Sequence, residues 1–142
     1  MLLLSPTLRL VRLGTRVHRA QRGQVLVMAA LVAAIVLGMA GLAIDVGFAM
    51  RERGKAANAA DAAAMAGADV LLNGGERDVA ISTALAYAQK NGYSSGQTTV
   101  HTPPTSGPHA GDDKYVEVSI SSTRPTFFMR VLHIPTTTVA TR

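Results

Sequence analysis

The stretch that decides the fold is RGQVLVMAALVAAIVLGMAGLAIDVGFAMRERGKAANAADAAAMAGA, residues 22–68. Its first part, Gln24–Ile44, is 21 residues long and contains no charged side chain. Because a helix rises about 1.5 Å per residue, this run is long enough to cross the roughly 30 Å hydrocarbon core of a bilayer. A helix of a soluble domain normally turns one polar face to water, and this run has no such face. We therefore predict a transmembrane helix at residues 23–47.

The excess positive charge lies before this run. The chain of 142 residues has 14 Lys and Arg against 9 Asp and Glu, a formal net charge of +5. From Gly23 onward, nine basic residues face nine acidic ones, so the excess comes from a leader at residues 1–22 that contains no acid. A nucleic-acid interface needs basic residues on a folded surface, so we expect no nucleic-acid partner. The arginines of the leader are Arg9, Arg12, Arg16, Arg19 and Arg22.

The same arginines predict the orientation of the helix. Five of them precede the apolar run, whereas Arg51, Arg53 and Lys55 follow it. Basic residues near a membrane helix accumulate on the cytoplasmic side. We therefore expect a single-pass membrane protein, with its N-terminus in the cytoplasm, its C-terminus outside and the lipid bilayer as a direct partner.

A secretory signal peptide is the competing interpretation. It also has a basic leader and an apolar region, and Gly41-Leu42-Ala43 offers small residues at the positions a signal peptidase prefers. The apolar run exceeds the 7–15 residues typical of a signal peptide, which favours the anchor. The alternative function is a secreted soluble binding module, released by cleavage after Ala43.

Small residues in the apolar run recur on one side of the predicted helix. They are spaced by three or four residues, and in lipid such a stripe lets two helices approach closely. The stripe ends in a carboxylate at the outer end of the span, where a charge is costly unless it is hydrated or paired. We predict that this carboxylate pairs with a basic group of a neighbouring subunit; hydration at headgroup level is the alternative. The predicted helix-packing face is Ala30, Ala34, Gly38, Gly41 and Asp45.

The helix is expected to continue outside the membrane over residues 48–73. Nine alanines between Lys55 and Leu72 favour a helix, and Gly54 offers a hinge within it. Gly74-Gly75 is expected to end it, since glycine is the usual residue after a helix. A bare face of this kind suits close packing against another helix or against the head. The predicted outer packing face is Ala57, Asp61, Ala64 and Ala68.

Residues 74–142 are expected to form a small head. Glu76–Lys90 is predicted to be a helix, with acids at its start and a lysine at its end. Thr98–His101 is a candidate strand, and Tyr115–Ser121 alternates apolar and polar side chains as a half-buried strand does. This alternation predicts that Val116, Val118 and Ile120 face inward and that Glu117, Ser119 and Ser121 face solvent. Thr136–Ala140 is expected to pair antiparallel with it. The predicted fold is α+β, and the segment after Pro125 is expected to add Phe127, Phe128, Val131 and Leu132 to the core.

No catalytic pattern is present in the sequence. It has no phosphate-binding glycine loop, no nucleophile motif and no cysteine. His101 and His109 lie near Asp112-Asp113 in a polar loop without the spacing of a metal site. We therefore expect no enzyme, no cofactor, no metal and no small-molecule substrate.

Three blocks of the chain resemble a known family. They are Arg22-Gly23-Gln24, the segment GLAIDVG at residues 41–47, and the segment NAADAAAMAGA at residues 58–68. Together they resemble the N-terminal region of Tad pilus-assembly proteins of the TadE/TadG type. The segment PTFFMRVL at residues 125–132 is similar to a second family segment.

The resemblance implies a pilin-like fold in a protein of the bacterial cell membrane. It also implies a role as a minor pilin-like subunit or an assembly scaffold of a Tad (Flp-type) pilus. Other pilus-assembly subunits are then the implied partners, through helix-to-helix packing. It also implies a candidate processing site between Gly23 and Gln24, although Met28 stands where TadE-like prepilins carry a glutamate. The chain is similar to TadG in this block, yet it lacks the Asp-x-Ser-x-Ser motif of larger TadG proteins.

Overall fold

The stretch from which the prediction began forms one continuous helix. The computed structural model describes the backbone of residues 14–142 and the side chains of residues 23–142. Helix α1 runs from Gly14 to Leu72 and passes through Gly54 without a break. Within the described part of the chain, Gly23–Leu72 is the helix that is long and apolar enough to cross a membrane. It ends before Gly74, whose φ of 77° is the left-handed conformation that glycine adopts readily after a helix.

The chain divides into two units between Ala40 and Gly41, inside α1. In the first unit, every side chain of residues 23–40 is exposed, although most of them are apolar. In water, a continuous apolar surface of this size is unfavourable. Exposure on all sides is what a helix surrounded by lipid requires.

The second unit, Gly41–Arg142, contains the remainder of α1 and the head. Helix α2 spans Arg77–Lys90 and ends at Asn91-Gly92, as predicted. Three strands follow: β1 at Thr98–His101, β2 at Glu117–Pro125 and β3 at Thr136–Thr141. They form an antiparallel sheet in the order β1-β2-β3, so the predicted α+β fold is confirmed.

Strand β2 differs from its prediction at both ends. It begins two residues after Tyr115 and continues to Pro125, because its second half pairs with β3. In this register Ile120 lies opposite Thr141 and Pro125 lies opposite Thr136. The strand therefore runs on until a proline, which cannot donate to the ladder, ends it.

Glu117 was predicted to face solvent, and that prediction is wrong. The residue is buried, and its carboxylate accepts hydrogen bonds from the Thr105 N–H at 2.7 Å and the Ser106 hydroxyl at 3.2 Å. The Arg142 guanidinium lies 3.1 Å from it. The amide of Thr105 holds the pKa of Glu117 below its ordinary value, against the opposing effect of burial. The loop that contains Thr105 and Ser106, together with Arg142, thus covers a side chain that strand alternation places on the outer face.

The core of the head consists mainly of alanine. Buried alanines of α1 meet buried alanines of α2, and β2 covers them with Val118 and Ile120. Gly67 shows how close the helices come, since a Cβ added there would lie 3.1 Å from the Ala80 carbonyl oxygen. The packing of this core therefore comes from the close approach of the two helices and not from large side chains. The buried alanines are Ala56, Ala59, Ala60, Ala63, Ala80, Ala84 and Ala88.

Candidate functional site

The site lies where the head contacts α1 near the outer end of the predicted span. Here the carboxylate of Asp45 accepts three backbone hydrogen bonds from the connection between β2 and β3, which we name the 126–135 turn. The N–H groups of Phe127, Phe128 and Met129 donate to it at 3.0, 2.9 and 2.7 Å. Only 4% of Asp45 remains exposed. The carboxylate thus fixes the turn to the helix through main-chain atoms.

The 126–135 turn takes its shape from its own backbone. It follows Pro125 and ends at Pro135. A hydrogen bond from the Thr126 N–H to the Pro135 carbonyl, at 3.0 Å, closes it. The Thr126 hydroxyl also donates to the carbonyl of Ile134. A 3-10 helix at Met129–Leu132 begins at the last of the three amides that Asp45 binds. His133, with a φ of 62°, follows the end of this helix. Consecutive N–H groups at the start of a helical turn point the same way, which makes them a natural partner for a carboxylate.

Phenylalanine side chains complete the contact with α1. The ring of Phe128 lies directly over Gly41, where an added Cβ would overlap the ring and approach the Phe128 Cβ to 2.8 Å. The ring of Phe127 lies 5.8 Å, centre to centre, from that of Phe48. Glycine at position 41 is therefore required by the close approach of Phe128. These are all three phenylalanines of the chain.

A second polar cluster joins the head to α1 two turns later. Glu52 accepts hydrogen bonds from the Ser122 hydroxyl at 2.9 Å, the Arg124 guanidinium at 3.1 Å and the Tyr93 hydroxyl at 3.2 Å. Burial by itself raises the pKa of Glu52, but these hydrogen bonds and the charge of Arg124 outweigh it and hold that pKa below its ordinary value. Burial and the Glu52 charge raise the pKa of Tyr93. Two carboxylates of one helix, Asp45 and Glu52, thus hold the head at two levels.

The predicted membrane face divides into two parts in the structure. Ala30, Ala34 and Gly38 are exposed in the first unit. Gly41 and Asp45 are buried under the 126–135 turn of their own chain. The inter-subunit partner of Asp45 stays a prediction, and the described residues supply three amides of the same chain instead. The sequence carried no sign of this contact, because its two sides are more than 80 positions apart.

The predicted outer face lies beside the stripe that packs within the chain. Ala57, Ala64 and Ala68 are half-buried, and Asp61 is exposed. The fully buried alanines of this part of α1 are their neighbours on the helix. One residue turns a helix by 100°, so a choice between adjacent stripes in an alanine-rich segment depends on the head that packs there.

The apolar residues of the 126–135 turn were predicted to be core, and that prediction is wrong. Phe127 is 66% exposed, Val131 is 79% exposed, and Phe128 and Leu132 are also exposed. Their amphipathic spacing was visible in the sequence, but spacing does not show what covers a face. The turn projects from the end of the sheet, where the small core does not reach it.

Other candidate residues have these positions. Gly23 and Gln24 are exposed at the start of the described side chains. His109 stacks on Tyr115 at 3.8 Å between ring centres, and Asp113 pairs with Arg77 at 2.6 Å. Among the residues described, no group of three potential metal ligands comes together. Arg9 and Arg12 lie outside the described residues, as do the side chains of Arg16, Arg19 and Arg22.

Comparison with known proteins finds a family match to most of α1. Residues 23–70 match the model of the Tad family, described as putative Flp pilus-assembly TadE/G-like. No curated protein matches the chain, and no solved structure does. The match covers about a third of the 142 residues and confirms the resemblance found in the sequence. The segment at residues 125–132 lies outside the matched range.

Proposed function

Because residues 23–70 carry a Tad TadE/G-like domain, we propose that the chain is a single-pass membrane protein that acts in a Tad/Flp-type pilus, as a minor pilin-like subunit or an assembly scaffold. The observation that carries the proposal is that one helix contains both the apolar run and the alanine stripe on which the head is built. Anchor and head therefore share a backbone. The family is structural, which agrees with a sequence in which no catalytic pattern is recognised.

Lateral packing of the anchor is the proposed means of association. Ala30, Ala34 and Gly38 leave a bare stripe on the first unit. Packing of backbones at such stripes stabilises helix pairs in lipid, where the hydrophobic effect does not drive association. The exposed Asp61 and the half-buried alanines beside it offer a second surface to pilus-assembly subunits.

The proposed orientation has the arginine leader in the cytoplasm and the head outside. Five arginines before the apolar run against three basic residues after it support this orientation. The contacts of Gly41 and Asp45 with the 126–135 turn also support an uncleaved anchor. A cut after Ala43 would separate Gly41 from the residues that it packs against in the folded head.

Membrane fractionation with intact-mass measurement tests the proposal. We expect the full-length product, or one that begins at Gln24 after pilin-type processing, in the membrane fraction. A product that begins at Gln24 would favour the pilin-like subunit over the scaffold. A soluble product that begins at Ile44 would refute the anchor and favour the secreted binding module.

The variant Asp45→Asn tests the role of the site in assembly. An amide has one acceptor oxygen where the carboxylate has two, so Asn cannot reproduce all three hydrogen bonds from the turn. We expect fewer crosslinked oligomers but normal membrane insertion, with Asp78→Asn on the exposed side of α2 as the matched control. If Asp45→Asn gave the wild-type crosslinking pattern, Asp45 would have no part in assembly.

A further inference from the structure

The 126–135 turn carries most of the unexplained apolar surface of the head. Beyond Leu72, eight large apolar or aromatic residues are exposed, and five of them lie in this turn. The other three, Val79, Tyr87 and Tyr115, are scattered over α2 and the loop before β2. Scattered apolar residues are normal on a protein surface, whereas a contiguous group indicates a contact. The five are Phe127, Phe128, Val131, Leu132 and Ile134.

The position of the turn along α1 indicates what that contact is. Phe128 packs on Gly41, which lies three residues before the end of the uncharged run Gln24–Ile44. Three residues of helix correspond to about 4.5 Å along its axis. If the bilayer covers the whole run, its outer boundary must therefore reach the level of Phe128. The turn cannot stay in bulk water while its contact on the helix is in lipid.

We propose that the 126–135 turn inserts into the outer leaflet of the bilayer, at the boundary between headgroups and acyl chains, as a second membrane contact beside the helix. This inference rests on the membrane anchor of the proposed function. The occupant of the apolar patch is lipid, because Phe128 packs on Gly41 within the predicted span and Phe127 lies beside Phe48 just after it.

The backbone of the turn is prepared for a medium that lacks water. An unpaired N–H group in lipid costs several kcal/mol, so irregular backbone is excluded there unless its polar groups are satisfied. Asp45 accepts from three consecutive N–H groups. The N–H groups of Val131, His133 and Ile134 donate to carbonyls within the turn. The Asp45 carboxylate and the three amides therefore satisfy each other's hydrogen bonding. Neither is left unpaired in lipid, which supplies no hydrogen-bond partner.

The charges and aromatic rings of the turn agree with an interfacial position. Arg130 is its single Lys or Arg, it is exposed, and the segment contains no acid. A guanidinium at headgroup level binds lipid phosphate, and a positive segment is attracted to anionic lipid. The apolar run itself has no aromatic residue, whereas Phe128 meets α1 at Gly41, just before the end of the run, and Phe127 meets it at Phe48, just after that end. A cluster of aromatic rings there supplies bulky apolar side chains at the edge of the span.

Site-specific tryptophan fluorescence in vesicles tests the insertion. The chain contains no Trp, so one substitution introduces a single reporter. Val131→Trp places it on the turn, Leu72→Trp places it at the far end of α1 at a position 86% exposed, and Val32→Trp places it in the middle of the span. The full chain is reconstituted into phosphatidylcholine–phosphatidylglycerol vesicles, with or without lipids brominated at shallow acyl positions, or at deep acyl positions for Val32→Trp.

We expect Val131→Trp to show blue-shifted emission, quenching by brominated lipid and protection from aqueous iodide, and Leu72→Trp to show the reverse. If iodide quenches Val131→Trp as strongly as Leu72→Trp, the turn is in water and the inference is overturned. Protection from iodide without quenching by brominated lipid would place a protein surface, such as a second copy of the chain, on the turn and would also overturn it. Val32→Trp separates this failure from failure of the anchor, since it loses lipid quenching only when the helix does not span.

Discussion

The replacement Gly41→Ala should destabilise the head, although the same change elsewhere in the same helix should stabilise it. A Cβ at position 41 overlaps the ring of Phe128 and lies 2.8 Å from its Cβ. Rotation of the ring does not relieve the contact with the Phe128 Cβ, and the backbone that carries this atom is held by the hydrogen bond from the Phe128 N–H to Asp45 at 2.9 Å. Backbone must move, and overpacking of this kind costs about 1–3 kcal/mol.

The replacement Gly41→Ala also stabilises the helix itself, and this gain offsets part of the free energy lost to overpacking. Replacing glycine by alanine within a helix contributes about 1 kcal/mol of stability. The expected net loss for Gly41→Ala is therefore about 0–2 kcal/mol in the free energy of unfolding. Gly54→Ala is the matched control, because a Cβ there meets nothing within 4 Å. It should gain up to about 1 kcal/mol, so the two variants should differ by about 1–3 kcal/mol.

Urea unfolding in detergent micelles, followed by tyrosine fluorescence, measures the difference. Tyr93 is buried in the head and reports on its unfolding. The double variant Gly41→Ala with Phe128→Ala should recover only part of the loss, because it removes the overlapping ring but keeps the Phe128 Cβ, which lies 2.8 Å from the added methyl group. If Gly41→Ala alone raised stability as much as Gly54→Ala, Phe128 would not occupy the helix surface and the account of the turn would fail.

Three further predictions concern the core, the Glu52 cluster and the membrane face. Ile120 is fully buried, so Ile120→Ala should cost about 2–5 kcal/mol in urea unfolding, whereas the exposed Leu72→Ala should stay within about 0.5 kcal/mol of wild type. Because folding lowers the pKa of Glu52 below 4.5, its contribution to stability is complete above that pH and is lost as pH falls through the folded-state pKa. Unfolding free energies measured from pH 7 to 3 should therefore fall less steeply for Glu52→Gln than for wild type, and equal slopes would contradict this. Gly38→Ile, which fills a bare position on the first unit, should weaken association in a membrane two-hybrid assay, and unchanged signal would exclude that face.

The elements whose signals are local could be predicted from the sequence. The apolar run, the alanine-rich continuation of α1, the glycines after it and the strand at Thr98–His101 each carry a pattern within a few neighbours. Such patterns depend on helix propensity, turn conformation and the length of lipid to be crossed, and none of these needs a distant partner. For the same reason, the family blocks in α1 were recognisable before any fold was known.

The site could be predicted only in part, because its partners come from distant segments. Asp45 stood out as a carboxylate at the edge of the span, but the amides that bind it are 82–84 residues later. Glu117 appeared to face solvent by alternation, yet Thr105 and Arg142 enclose it. Alternation distinguishes the two faces of an isolated strand, but it does not show whether a loop folds over one of them.

The sequence by itself determined that this chain has an apolar span, an alanine-rich helix after it and a small α+β head. Those properties follow from composition and period, which act between neighbouring residues. Only the tertiary structure decided which stripe of α1 is buried, what satisfies Asp45 and where the apolar side chains of the 126–135 turn lie. These outcomes depend on which surfaces meet when segments 80 residues apart come together, and a one-residue rotation of a helix or the path of one connection changes them. The structure thereby places Phe127 and Phe128 against Phe48 and Gly41 of α1 rather than in the expected core.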